Sequence, residues 1–376
     1  MARGDDSAAV DSLLAAASDT GRTFGVREAD LKEAVEQDRT GRSMHALARL
    51  HLEVNTIASR QDAGRWLRRA MEKEPESAEF RSTHAELLWA SGRRHGSYKA
   101  ARRAHELDPD NVRALYYAGR YAVWSWEMSH WTDVASGVDT DLNDRASGRT
   151  FRQMGYAEID LSVGEEFLTR AIGLDPGHRA ARTLLGVVYH ETKRPTHLVK
   201  LFEEYQRAHP EDRDAPFFIG LGYQMKGDLK AALRSYAEGL SRMSNEEIRF
   251  VQSAVMMDHH GDELLPDREA LERFWRTRDP VFLTETNERL MEHCARVAYA
   301  SLRYGDPRRD IQGCQSDRGQ AYIRYGPPLA RQMAPADVDV GLDASPEAYD
   351  AAAQEVERTG RMPYKFRHRA ETWGYD

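Results

Sequence analysis

Asp317 and Arg318 stand side by side ahead of Gly319, and a carboxylate beside a guanidinium is raw material for acid–base chemistry. An aspartate before a glycine also caps turns, and that structural role is the expected one here. Cys314, between Gly313 and Gln315, would need a basic partner to act as a nucleophile, and no histidine stands near it in sequence. Asp258, His259, His260 and Asp262 gather metal-ligand types, but adjacent side chains diverge and a His-Glu-x-x-His pattern is missing. Gly222 and Gly227 have the separation of a phosphate-cradling loop, with Asp228 and Leu229 in place of its lysine and hydroxyl. The run Arg361-Met362-Pro363-Tyr364-Lys365-Phe366-Arg367-His368-Arg369 alternates cations with aromatic rings, as a nucleic-acid-facing strand would. The acidic run before it, Asp337, Asp339, Asp343, Glu347, Asp350, Glu355 and Glu357, offers those cations partners within the chain. No catalytic residue, cofactor or metal is assigned on these grounds, and nucleic acid is not the expected partner.

The elements that must position such residues are bounded by length and composition. The chain has 376 residues, which at roughly 150 per domain is a prior of two or three domains. Its 53 Lys and Arg against 61 Asp and Glu leave a net charge of −8, so bulk charge gives no support for nucleic-acid binding. Charged residues make up 30% and hydrophobic residues 41%, far from the balance of a disordered chain. No stretch approaches the ~18 consecutive apolar residues of a membrane helix. The 2 cysteines are too few for a disulfide framework. The opening Met1-Ala2-Arg3-Gly4-Asp5-Asp6 has no apolar leader, and a secreted chain whose leader had been removed would read the same way, so cytoplasm, periplasm and exterior all stay open.

Internal repetition is the strongest signal. Pro75 and Pro109 lie 34 residues apart, as do Pro176 and Pro210, and 67 residues separate Pro109 from Pro176. A proline at this place ends a helix. In one frame before each proline, Ala63, Leu67 and Ala70 match Ser97, Ala101 and Ala104, then Gly164, Leu168 and Ala171, then Leu198, Phe202 and Tyr205. These spacings of four and three draw an apolar stripe on a helix. In the preceding half-unit Ala85, Gly119, Gly186 and Gly220 recur at one position, where a small residue admits a close partner helix. Gly92 and Gly227 fall between the halves, where a left-handed turn is wanted.

The frame resembles the tetratricopeptide repeat, with roughly five units between about Ser43 and Met243. That resemblance implies a helical solenoid whose first helices line a concave face. The implied lining residues are Glu86, Trp89, Tyr116, Arg120, Trp124, His190, Phe217, Leu221 and Gln224, with Tyr116, Arg120 and Trp124 as the anchor cluster for a bound polypeptide. The equally open alternative packs Tyr116 and Trp124 between helices. The carboxylate clamp of the family's chaperone-binding members is not implied, because Ala48 and Leu52 occupy matching places in the first unit.

The middle unit departs from the frame. Its first helix is expected from Val112 to about Trp126 and its second from Gly164 to Leu174, leaving an insertion near 127–160. Asp139 to Asp144 is similar to the start of an EF-hand loop, but Asp144 replaces the turn glycine and Thr150 the closing glutamate, so a solvated acidic loop is expected.

Beyond the repeats, a linker is expected over 246–269 and a smaller α+β domain over 270–376, with 1–42 capping the first unit through Val10, Leu13, Leu14, Leu31 and Val35. A helix through Phe274 and Trp275 ends at Asp279-Pro280, and a second, from Glu285 to Tyr304, turns Leu290, Cys294, Val297, Ala298 and Leu302 to one face. Gln320 to Tyr325, bounded by Gly319 and Gly326, is read as a strand. These elements, with Arg296-Val297-Ala298-Tyr299-Ala300 and Tyr325-Gly326-Pro327-Pro328, resemble the bacterial GWxTD domain, often joined to tetratricopeptide repeats. Of its naming motif Gly313 and Asp317 are retained, while Cys314 and Ser316 replace the tryptophan and threonine. Glu371-Thr372-Trp373-Gly374-Tyr375 resembles a later strand of that domain, so the chain is expected to stop inside it.

The expected whole is a mainly α repeat solenoid with a smaller α+β domain, serving as a protein-binding scaffold in a bacterial complex. The alternative places an enzyme site near Asp317 and Arg318, with the repeats as a recruiting arm. A structural spacer is the third reading.

Overall fold

A computed structural model describes residues 3–37, 40–134, 160–244, 247–248, 268–277, 287–305, 312–328, 330–336 and 368–374. Two helices, α1 (Arg3–Ser18) and α2 (Phe24–Gln37), pair at the N-terminal end, and α2 lies against α3. Five helix pairs follow: α3 (Gly41–Val54) with α4 (Ile57–Lys73), α5 (Ala78–Ala90) with α6 (Arg94–Leu107), α7 (Val112–Val134) with α8 (Leu161–Leu174), α9 (Arg179–Glu191) with α10 (Pro195–Ala208), and α11 (Ala215–Met225) with α12 (Leu229–Ser241). The C-terminal part holds α13 (Arg268–Thr277), α14 (Glu288–Tyr304), a 3-10 turn (Gly313–Gln315) and α15 (Asp317–Tyr325), then an antiparallel pair, β1 (Ala330–Ala336) with β2 (His368–Gly374).

The repeat frame explains why these helices start, stop and pack. Thr56, Ser77 and Asp228 cap α4, α5 and α12 by accepting from the backbone N–H groups of Ser59, Phe80 and Ala231. Every apolar-stripe residue of the second helices is buried, with Leu67, Ala101, Leu168 and Leu198 fully so. Each buried leucine contributes about 1.5–3 kcal/mol. The small position is equally strict: a Cβ on Gly220 would stand 2.5 Å from the Tyr236 ring, and one on Gly119 would stand 2.7 Å from Leu168. Between the halves, Gly92 and Gly227 have φ of 75° and 79°, and Lys193 occupies the same frame position with φ of 56°.

Three sequence expectations change. Helix α7 runs to Val134 rather than stopping near Trp126, because nothing in its sequence breaks a helix before Gly137. Gln320 to Tyr325 is not a strand but the body of α15. Ser316 caps that helix by accepting from Gly319 N–H at 3.1 Å, Gly319 and Ile323 are buried four residues apart, and Gly326, at φ 84°, ends it. The helices of 287–325 also do not form a separate lobe: Cys294, Ala298, Leu302, Cys314 and Ile323 share one buried cluster with Leu185, Phe218 and Leu221 of the repeats. The insertion's acidic run 139–144, the cluster 258–262 and the whole segment 337–367 lie outside the described residues.

Candidate functional site

The first helices, α3, α5, α7, α9 and α11, carry all the proposed groove residues, and the two ends of this face differ in what covers it. At the C-terminal end α14 packs on α9 and α11, and only marginally on α12. Leu302 reaches Gly186 of α9, where an added Cβ would stand 3.0 Å from Leu302 Cδ1. Tyr299 Oη donates to Glu191 Oε1 at 2.8 Å. The Tyr299 ring lies 4.6 Å from that of His190 and 4.5 Å from that of Tyr322. Arg303 forms an ion pair with Glu127 on α7. Helix α14 therefore reaches the first helices of three successive units.

This contact sets the electrostatics of the junction. Burial opposes a charge on Glu191, but hydrogen bonds from His190 and Tyr299, with the charge of His190, outweigh it and hold the carboxyl below its ordinary value. Burial, then the Glu191 carboxylate, pushes the Tyr299 hydroxyl well above the usual tyrosine range. Both thiols are deactivated in the same way: burial raises Cys314 and pushes Cys294 up to about 12. Asp317 and Arg318 are exposed on the first turn of α15, outside this buried cluster.

Of the groove residues at this end, His190 lies under Tyr299. Leu221 is buried in the cluster that includes α14. Phe217 sits inside its own unit, against Tyr236 and in the space left by Gly239, where a Cβ would stand 2.5 Å from the Phe217 ring. Gln224 is taken up by its own unit, its Oε1 accepting from Tyr236 Oη at 3.0 Å.

The N-terminal end of the face is built around Arg120. Its guanidinium lies 4.5 Å from the Trp89 ring centroid and 5.7 Å from that of Tyr116, bridging α5 and α7. Trp89 is 7% exposed, and the Arg94 guanidinium also lies over its ring, at 4.1 Å. Tyr116 is half-buried against Tyr117 and His178, and half-buried Trp124 packs 5.4 Å from Tyr121. Among the described residues no carboxylate stands within ion-pair distance of Arg120, although Arg113, two turns earlier on α7, is paired with Glu86 at 3.4 Å. A half-buried cation without a counter-charge favours an incoming carboxylate or carbonyl oxygen.

Beside it runs a polar ladder that sequence reasoning missed. His45, Glu79 and Arg113 are spaced by the repeat period on α3, α5 and α7. Thr83 Oγ1 accepts from Arg113 Nη1 at 2.8 Å and lies 2.8 Å from His45 Nε2, while Glu79 stands 3.8 Å from the same histidine. Burial, then Arg113 and Arg49, lower His45 to about 3, so it is neutral at physiological pH. The 34-residue spacing was the available signal; the unlike residue types concealed it.

No protein-family model matches this chain, and no curated protein resembles it in sequence. Solved structures similar to it include PilW, a widely conserved type IV pilus biogenesis factor, at 16% identity and TM-score 0.49, covering 66% of this chain and 99% of that one. PilF of Pseudomonas aeruginosa matches at 12% identity and TM-score 0.45, over 61% of this chain and 90% of its own. TTC0263, a thermophilic TPR protein of Thermus thermophilus, matches at 14% identity and TM-score 0.35, over 56% and 95%. At these values no function passes from those proteins to this chain, and no helix among its described residues is long and apolar enough to cross a membrane.

Proposed function

We propose that the chain is a tetratricopeptide-type scaffold that binds a polypeptide segment on the first-helix face of its first three units. The observation that carries this reading is Arg120, half-buried over Trp89 and Tyr116, without a carboxylate partner among the described residues. A segment crossing α5 and α7 would present a carboxylate or main-chain carbonyl to the guanidinium, with Tyr116 and Trp124 supplying rigid apolar area. Trp89 supports Arg120 from beneath. The ladder of His45, Thr83 and Arg113 holds α3, α5 and α7 in register, so the face is organised before a partner arrives. In this reading α14, with the 3-10 turn and α15 packed on it, closes the far end of the face, and the C-terminal part, which resembles the GWxTD domain, provides the second contact of the complex.

The test is a photo-crosslinking residue at position 116, in an otherwise native chain and in one carrying Arg120→Glu, expressed in the source organism. A defined polypeptide adduct in the first, lost in the folded Arg120→Glu chain, is the expected result. No polypeptide adduct, or one indifferent to residue 120, overturns the reading.

A further inference from the structure

The outer surface of the repeats is made by the second helices, and its charge is divided unevenly. Helix α4 carries five cations against two carboxylates, and α6 carries four against one. Helices α8, α10 and α12 together carry five of each: Arg170, Lys200, Arg207, Lys230 and Arg234 against Glu165, Glu166, Glu203, Glu204 and Glu238. In a chain of net charge −8, the outer face of the first two units is thus a local cationic field.

The cations are arrayed by the repeat. Arg65 and Lys99, Arg68 and Arg102, and Arg69 and Arg103 are each one 34-residue period apart, and all six are exposed. Arg65 is paired with Asp62, and Arg103 with Glu76 and Glu106. Arg68, Arg69, Lys99 and Arg102 have no carboxylate within ion-pair distance among the described residues. Arg69 lies over the Trp66 ring at 4.7 Å, and Arg102 donates to Tyr98 Oη at 3.1 Å, so aromatic side chains restrain two of the four. Burial, then the charges of Arg93, Arg81 and Arg68, lower His84 on α5.

We propose that the outer face of the first two units, centred on Arg68, Arg69, Lys99 and Arg102, docks an acidic segment of a partner polypeptide. The surface is distinct from the first-helix face, and its docking does not depend on Arg120. A short acidic segment matches the extent of the patch. A longer nucleic-acid backbone would continue onto α8, α10 and α12, where cations and carboxylates are equal in number and give it no net attraction. The ring faces of Trp66 and Tyr98 are already engaged by arginines and do not form an open platform for bases. Membrane docking would call for apolar residues beside the cations, and among the described residues of α4 and α6 only Ile57, at the start of α4, is a large exposed apolar residue.

The experiment uses the full chain and a fluorescent oligoglutamate, followed by anisotropy at low and physiological ionic strength. One variant carries Arg68→Glu, Arg69→Glu, Lys99→Glu and Arg102→Glu. A control carries Lys200→Glu, Arg207→Glu, Lys230→Glu and Arg234→Glu, the same net-charge change on exposed sites of α10 and α12. Oligoglutamate binding is expected to weaken at least about tenfold in the first variant and little in the control, since complementarity is local at a Debye length of about 8–10 Å. It is also expected to exceed binding to a single-stranded oligonucleotide of equal charge and to phosphatidylserine vesicles. No oligoglutamate binding at low ionic strength, equal loss in both variants, or a preference for oligonucleotide or vesicles overturns the proposal. If the reversal variant loses its helical circular dichroism, glutamine at the same four positions makes the same comparison.

Discussion

The first-helix face of units four and five and that of units one to three are built on the same frame, but α14 covers the first and meets the second only toward the C-terminal part of α7, where Arg303 pairs with Glu127. Tyr299 and Leu302 seal the far end against Glu191 and Gly186, and its conspicuous residues, Phe217 and Leu221, are core. At the near end Arg120 sits on Trp89 and Tyr116 with no carboxylate beside it among the described residues. An aromatic residue at a lining position therefore has two fates, decided by whether a later part of the chain returns to cover it.

The largest expected effect breaks the covered end. Leu302→Ala removes buried carbon against Gly186 and should cost about 2–5 kcal/mol, read by chemical denaturation. Protease sensitivity should rise in α14 and leave α3 to α6 unchanged; a uniform loss across the chain would mean that the two ends do not differ in this way. The next effect is acid lability at the near end. His45 is held neutral, so the unfolded chain binds a proton that the folded chain refuses between the ordinary value of 6.5 and about 3. Stability supplied by this burial is whole above 6.5 and falls as pH drops toward 3. Glu191, also held below its ordinary value, loses its contribution only at the lower, carboxylate range of pH. Hydrogen exchange near pH ~5 should therefore show α3 and α5 opening before α14, and His45→Gln should narrow the difference without removing it, since His51 on α3 and His84 on α5 are held low by burial in the same way. The smallest effect is a gain: Lys193→Gly relieves a left-handed residue between α9 and α10 and should add up to about 1 kcal/mol, seen as a higher midpoint of unfolding.

Much of the repeat architecture was legible because local chemistry repeats. Prolines end second helices, Gly92 and Gly227 turn between halves, and the stripe from Ala63 to Tyr205 stays buried in every unit where it was read. Helix α15 was misread because its short run of apolar and aromatic residues between glycines also fits a strand, and the Ser316 cap decides in favour of helix. Lining residues were legible as positions but not as surfaces. Phe217 turns inward because Gly239, on the partner helix, leaves a hollow for its ring. The burial of α14 had a trace in sequence, since Cys294, Val297, Ala298, Tyr299, Ala300 and Leu302 are too many apolar residues for one narrow stripe.

What the sequence by itself determined is the repeating unit, because helix ends, turns and close-packed positions depend on residues a few places apart. Tertiary structure decided which face stays open. Tyr299 meets Glu191 across 108 residues of chain, and Arg303 returns to Glu127 on α7. The apolar pattern of α14 says that it must be buried, while the 34-residue period says nothing about what lies over the last two units. Only the stacking of successive helix pairs makes a surface broad enough to bury α14, which lies across units three to five, and only after it docks is Arg120 distinguished from His190.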